Sequence, residues 1–299
     1  MNFTRGEELL ALCKEQELCI HEVMLRREVE LTSLSEAAIQ AKLSESLNIM
    51  KKAVELGLTS DIKSVSGLIG GDAKKVNEQS DRAKSVCGQL MSKAISRSMA
   101  VLEVNAAMGK IVAAPTAGSS GVLPGVLLTV AEEFALGDDT LINGLLTAGA
   151  VGLLITRNAT VAGAEGGCQA ETGSAAAMAA AAVVEMLGGS PVAALHAAAI
   201  CLQNVLGLVC DPIAGLVEVP CEHRNALGAA NALISAEMVR AGVVSIIPFD
   251  EVVEAMYRVG RSLPCELRET ALGGLAATPT GQRLARALLS CRLSMQEDI

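Results

Sequence analysis

The chain has 299 residues but no Trp, one Tyr and three Phe. With so few rings, its interior must be filled by Ala, Leu, Val, Ile and Met. That argues against an aromatic-rich β sandwich and for tightly packed helices, because Ala and Gly let helices approach closely. Basic residues are also scarce: 24 Lys and Arg stand against 33 Asp and Glu, giving a net charge of −9. Such a balance argues against nucleic acid or an anionic membrane surface as a partner, since phosphate binding needs a basic face. The small basic clusters, Arg26-Arg27 and Lys74-Lys75, lie among acids and read as solvated helix faces.

Long uninterrupted apolar runs are missing too. The best candidate, Leu141 to Thr156, carries Asn143 and ends at Arg157-Asn158, short of the roughly 20 residues that a span needs. The Ala-rich run after Glu171 is broken by Glu185, by the Gly188-Gly189-Ser190-Pro191 turn, and by His196 and Gln203. Both read as buried helices of a soluble protein with no membrane segment. The start MNFTRGEELL is polar and lacks a signal-peptide pattern. Nine cysteines, an odd number, then point to a reducing cytoplasm without disulfides.

What is present is helical periodicity, and the expected fold class is all-α, with Gly-rich loops around a site. Residues 1–60 form a charged stretch with apolar positions at three- and four-residue steps, such as Leu9, Leu10, Cys13, Leu43, Leu47 and Met50. They read as a helical hairpin extending a catalytic region at 61–299, the whole forming one continuous domain. The turn-rich segment Ser64 to Asp72 leads into a long helical pattern from about Ala73 to Met108, with Asp72 as its N-cap. From Ile111 to Arg240, helices of small residues alternate with glycine turns. Only Val243 to Phe249 has the β-branched character of a short strand, and two more helices flank the turn Leu272 to Gly281.

Three cysteines sit among small residues and turn formers: Cys168 in GAEGGCQAETG, Cys210 in LVCDPIAG and Cys221 in EVPCEHRN. Their wide separation matches neither zinc-ribbon nor ferredoxin spacing, where ligands come in close pairs. Three readings fit. They are ligands of an iron–sulfur cluster with one iron lacking a protein thiolate, ligands of a catalytic zinc completed by water, or small core residues as the other six cysteines are expected to be. The segment Thr116-Ala117-Gly118-Ser119-Ser120-Gly121 precedes a helix and offers amides and hydroxyls to a carboxylate. The plainer reading is that Ser120 caps the helix whose first turn contains Pro124. Ser66, Gly67, Gly70 and Gly71 form a second candidate substrate loop, or simply a helix start.

On the stretches SGLIGGDAKK (66–75), APTAGSSGVLPGVLL (114–128), GAEGGCQAETGSAAAMAAAA (163–182), CDPIAGLVEVPCEHRNALGAANA (210–232) and LPCELRETALGGLAATPTG (263–281), the chain resembles the α chain of the iron–sulfur-dependent L-serine dehydratases (L-serine ammonia-lyases) of the two-chain bacterial type. The resemblance implies an oxygen-sensitive [4Fe-4S] cluster held by Cys168, Cys210 and Cys221, and deamination of L-serine to pyruvate and ammonia without pyridoxal phosphate. It also implies a β chain, in a heterodimer or higher assembly. The residues themselves show no lysine in a pyridoxal phosphate motif.

Of the three histidines, only His223 lies near a candidate ligand, and it is the candidate general base unless that group comes from the β chain. Glu222, Arg224 and Asn225 are expected to orient the ligands. Glu165 and Glu171, flanking Cys168, are candidates for the substrate ammonium. Arg268, Thr278 and Thr280 fall in the resembling stretches without an assigned step, and Cys291 is a candidate to reach the open iron at rest. L-threonine and L-cysteine are alternative substrates, and an iron–sulfur sensor or electron carrier is the non-catalytic alternative. Three thiols beside an anion-binding loop favour catalysis.

Overall fold

The computed structural model describes residues 1–82 and 85–297, with side chains described except at 81–82 and 291–297. Among the described residues there are thirteen α-helices and no strand. In chain order they are α1 (Gly6–Gln16), α2 (Ile20–Thr32), α3 (Glu36–Thr59), α4 (Asp72–Arg82), α5 (Gly88–Ala106), α6 (Val122–Glu133), α7 (Asp138–Asn158), the single turn α8 (Gly163–Gly166), α9 (Cys168–Met186), α10 (Pro191–Gln203), α11 (Cys221–Arg240), α12 (Phe249–Ser262) and α13 (Pro279–Glu297). The all-α expectation holds.

The centre of the fold is α9, which packs against α6, α7, α10 and α11. Ala175 to Ala182 are almost wholly enclosed, and only Glu171 and Glu185 along this helix are partly exposed. A helix this poor in side-chain bulk can be buried on every side, because its neighbours close onto its backbone. Glycine serves the same end between α5 and α6. A Cβ on Gly125 would lie 2.7 Å from the Ser98 amide nitrogen and 2.9 Å from the Ala94 carbonyl oxygen.

The first 60 residues form three helices where a hairpin was expected. Glu17 and Ser33 adopt left-handed conformations at the ends of α1 and α2, and Ser35 restarts the chain by accepting the Ala38 amide at 3.2 Å. Phe3, Leu9, Cys13, Ile20, Val23, Leu47 and Met50 join the same apolar cluster as α9.

The helical pattern expected from Ala73 to Met108 is divided between α4 and α5, with Gly88 at φ +73° where α5 begins. Helix α7 extends beyond the apolar run on both sides, with Asp138 and Asp139 in its first turn and Arg157 in its last. It is long and apolar enough to cross a membrane, yet most of its apolar stretch is buried within the fold. Val243 to Phe249 forms no strand. Val243, Val244, Ile246 and Ile247 are exposed, and α12 begins at Phe249.

Candidate active site

Two of the three singled-out cysteines begin helices. Cys168 is the first residue of α9 and Cys221 the first of α11, so both sulfurs sit at helix N-termini, where the helix dipole favours negative charge. Gly167, at φ +77°, turns the chain into α9, and a Cβ there would lie 2.7 Å from the Leu208 carbonyl oxygen. Cys210 lies in the preceding loop. Its amide donates to the Leu267 carbonyl at 2.8 Å and its carbonyl accepts from the Glu269 amide at 2.6 Å, a one-residue bridge to Arg268.

All three thiols are buried. Cys210 stands close enough to Cys168 to dominate its acidity, and the Cys168 sulfur lies 3.3 Å from the Thr172 hydroxyl. The Cys210 contact, aided by Arg224 against the cost of burial, lowers the Cys168 thiol below its ordinary range. The same contact, with burial, raises Cys210. Burial first, then the charges of Cys168 and Glu171, raises Cys221. The sulfurs therefore share one electrostatic environment, in which Arg224 is the nearby cation.

Arg224 is anchored from both ends of its guanidinium. It donates to the Val209 carbonyl at 2.7 Å and to Asp211 at 2.6 Å, and Asp211 in turn accepts the Leu275 amide at 2.7 Å. Burial opposes its charge, but Cys168 and Asp211 more than offset that and raise its pKa. The loops on either side of Cys210 and the 274–277 turn are thus tied to α11.

Glu171 stands one turn into α9 and accepts the Thr116 hydroxyl at 2.5 Å. Burial pushes its carboxyl up to about 7, with Thr116 opposing and Cys168 and Glu269 adding to the rise. Gly118 is pressed against it: a Cβ there would lie 2.4 Å from Glu171 Oε1. At Gly163 a Cβ would meet Cys210 Sγ at 3.0 Å, Glu171 Oε2 at 3.1 Å and Glu269 Oε2 at 3.3 Å. A thiol and two carboxylates therefore converge on one glycine, beside the Thr116–Gly121 loop.

Asn225, fully enclosed, ties that loop to α11. Its Nδ2 donates to the Gly118 carbonyl at 2.7 Å and the Cys221 carbonyl at 2.9 Å, while its Oδ1 accepts the Gly121 amide at 3.1 Å. The Ser119, Ser120 and Val122 amides are also engaged inside the loop, by Thr116 Oγ1, Ala117 O and Ser119 O. The Ser120 hydroxyl donates to the Ala117 carbonyl at 2.7 Å, so it shapes the loop and does not cap α6.

The second loop arrives through Glu218, in the segment joining Cys210 to Cys221. Ser64 Oγ donates to Glu218 at 2.7 Å, and Ser66 donates to it through both its amide and its hydroxyl. Gly67, Gly70 and Gly71 all have positive φ, and a Cβ on Gly67 or Gly71 would meet nothing within 4 Å. Asp72 does not cap α4. Buried Glu103 of α5 does so, accepting the amides of Gly71, Asp72 and Ala73 at 3.0, 2.7 and 3.0 Å.

The structure thus brings together Cys168, Cys210, Cys221, Glu171 and Thr116, with Gly118 against Glu171 and Ser66 linked to them through Glu218. It does not bring in His223, which is exposed on α11, or Glu165, exposed on α8. Cys291 lies outside the described side chains. Sequence reasoning did not find Glu218, Glu103, Asp211 or Gln169. Each acts through partners remote in the chain, as when Gln169 donates to the Met256 carbonyl and accepts the Gly207 amide.

The chain as a whole resembles proteins of known kind. Residues 15–276 match the family described as serine dehydratase alpha chain. The chain is 49% identical over 295 residues to the probable L-serine dehydratase, alpha chain, of Bacillus subtilis, covering 99% of this chain and 98% of that one. It is 49% identical over 284 residues to the L-serine dehydratase, alpha chain, of Peptoniphilus asaccharolyticus, covering 95% and 97%. The L-serine dehydratase of Streptomyces coelicolor is 38% identical over 283 residues, with 92% of this chain but 60% of that longer protein covered. With near-complete coverage on both sides, the chain belongs to the serine dehydratase alpha chain family.

Proposed function

We propose that this chain is the catalytic subunit of an L-serine ammonia-lyase in which Cys168, Cys210 and Cys221 hold a [4Fe-4S] cluster. The carrying observation is that Cys210 and Glu171 meet at Gly163, that buried Cys168 and Cys221 share their electrostatic environment, and that Thr116 of the Thr116–Gly121 loop is bonded to Glu171. The donor set suits iron: three sulfurs and no histidine, beside one arginine that offsets thiolate charge. When bound, an iron lacking a protein thiolate supplies Lewis acidity toward the hydroxyl of serine.

The chain's own residues supply the rest. Elimination removes the α-proton of serine and releases its β-hydroxyl as water. The resulting aminoacrylate tautomerises to an imine, which takes up water and yields pyruvate and ammonium. Glu171 is the group that takes the α-proton in this reading, because it is buried, lies beside the thiols and has a carboxyl near 7, where a base is both ionised and basic. Thr116 orients that carboxyl through its hydroxyl.

Since the amides of residues 119–122 are already engaged, within the loop or by Asn225, the substrate carboxylate is assigned to the Thr116–Gly118 edge together with the Ser119 hydroxyl, with Ser120 and Gly121 fixing the turn. Ser66, Gly67, Gly70 and Gly71 form the opposing wall. His223, facing solvent, is left to the surface that a partner would cover.

A β chain is part of the proposal, supported by the alpha-chain names of the relatives and by the longer Streptomyces protein. We read residues 1–60 and 61–299 as one continuous domain, and the enzyme as cytoplasmic. The test is anaerobic assay with and without the β chain, following pyruvate release from L-serine, L-threonine and L-cysteine and α-proton exchange with solvent. Glu171→Gln is expected to lower exchange by about 100-fold or more, and His223→Ala by no more than a few-fold. The reverse ranking would transfer the base role to His223, and iron without turnover of any of the three amino acids would leave a sensor or carrier.

A further inference from the structure

Outside the thiol site, three acids from separate elements meet: Asp72 at the start of α4, Glu103 within α5 and Glu222 next to Cys221 on α11. One carboxylate oxygen from each lies within 4.8 Å of the other two. Glu222 is 1% exposed, and neither of its side-chain oxygens has a hydrogen-bond partner among the described residues. A buried carboxylate without donors is costly, and proteins pair such groups or bind metal with them.

The neighbours do not supply what Glu222 needs. Glu103 is served by three amides of the 71–73 turn. Asp72 pairs with exposed Lys75 at 2.6 Å. Among the described residues no donor reaches the Glu222 side-chain oxygens, which face the Glu103 carboxyl, and Lys75 acts on them only through its charge. A proton shared between Glu222 and Glu103 would serve one Glu222 oxygen and leave the other enclosed without a partner. A cation bound by both oxygens would serve both.

We propose that Asp72, Glu103 and Glu222 form a binding site for a divalent cation. Three carboxylates and no sulfur or nitrogen donor specify a hard, oxygen-preferring ion. Oxygens bound to one Ca2+ at about 2.3–2.6 Å stand no more than about 5.2 Å apart, so three oxygens all within 4.8 Å of one another are compatible with a shared ion. Three formal negative charges favour a divalent over a monovalent ion. The ion would clip the Gly70-Gly71 turn and the start of α4 to the helix that begins at Cys221, holding the second substrate loop against the thiol site.

The test is calorimetric titration of the full-length chain with Ca2+, with Mg2+ and with K+, without air, together with Glu222→Gln and Asp72→Asn. Thiols do not compete for Ca2+, and no turnover is needed, so the outcome is independent of the lyase assignment. Expected is one saturable Ca2+ or Mg2+ site per chain that persists in excess K+. Each substitution should weaken it by about tenfold or more. Asp72→Asn, at a partly exposed position, carries the result should Glu222→Gln not fold. Absence of saturable divalent binding, binding of K+ alone, or equal binding by the variants that fold would overturn the proposal. So would an infrared band of a protonated carboxyl that vanishes in Glu222→Gln while divalent ions leave it unchanged.

Discussion

Asn225 uses both ends of its amide to join the Thr116–Gly121 loop to the helix that begins at Cys221. Replacing it with Ala leaves the Gly121 amide and the Gly118 carbonyl enclosed without partners, at about 1–3 kcal/mol for each buried group. Asn225→Ala is therefore expected to lose about 2 kcal/mol or more in urea unfolding. The KM for L-serine should also rise, because the loop loses its anchor. Normal stability and KM in this variant would show that the loop is held by its internal bonds alone. The sequence marked Asn225 as an orienting neighbour of Cys221 but could not show that it grips Gly118 and Gly121, since those contacts arise only when α11 and the loop meet. The thiols were more legible, because each stands among glycines and prolines whose local purpose can be read without the fold.

At the level of helices, the remote caps stand out. Local caps follow sequence rules: Ser35 accepts the Ala38 amide, and Ser190, ahead of Pro191, accepts the Ala193 amide, each at 3.2 Å. Three other helices borrow carboxylates from afar. Asp250 accepts the Gly6 and Glu7 amides of α1, Glu185 those of Ile20 and His21 of α2, and Glu103 those at the start of α4. This is why Asp72 reads as a cap in the sequence and is not one in the fold.

Glu185 also receives His21 Nδ1 at 2.7 Å and the Thr147 hydroxyl at 2.6 Å. Burial raises its pKa, but these four donors outweigh that and lower it below its ordinary 4.5. A carboxyl that ionises at lower pH when folded adds stability that is full above the unfolded value and is lost as pH falls through the folded one. Glu185→Gln is thus expected to cost about 2 kcal/mol at pH 7, with the gap from the parent chain closing below pH 4.5. Unfolding curves at several pH values test this, and a gap independent of pH would contradict it.

For the molecule as a whole, lack of aromatic bulk sets the architecture. A core led by Ala around α9 holds together only if backbones approach closely, so positions that touch backbone tolerate no added carbon. Gly125→Ala, whose Cβ would press on Ser98 and Ala94 backbone atoms, should lose about 1–3 kcal/mol and show it as a lower melting temperature. An unchanged melting temperature would mean that α5 and α6 separate freely.

Composition made the all-α class legible. It did not disclose the division between α4 and α5, or that Val243–Ile247 forms an exposed connection, because periodicity and β-branching do not report which side of a segment meets its neighbours. The central proposal is that Cys168, Cys210 and Cys221 hold one cluster. Its most direct test is the iron and acid-labile sulfide bound per chain, prepared without air, in the parent and in Cys168→Ser, Cys210→Ser, Cys221→Ser and Cys201→Ser. About four irons and four sulfides are expected in the parent and in Cys201→Ser, with marked loss in each of the other three. Full iron in any of those three, or none in the parent, would contradict it.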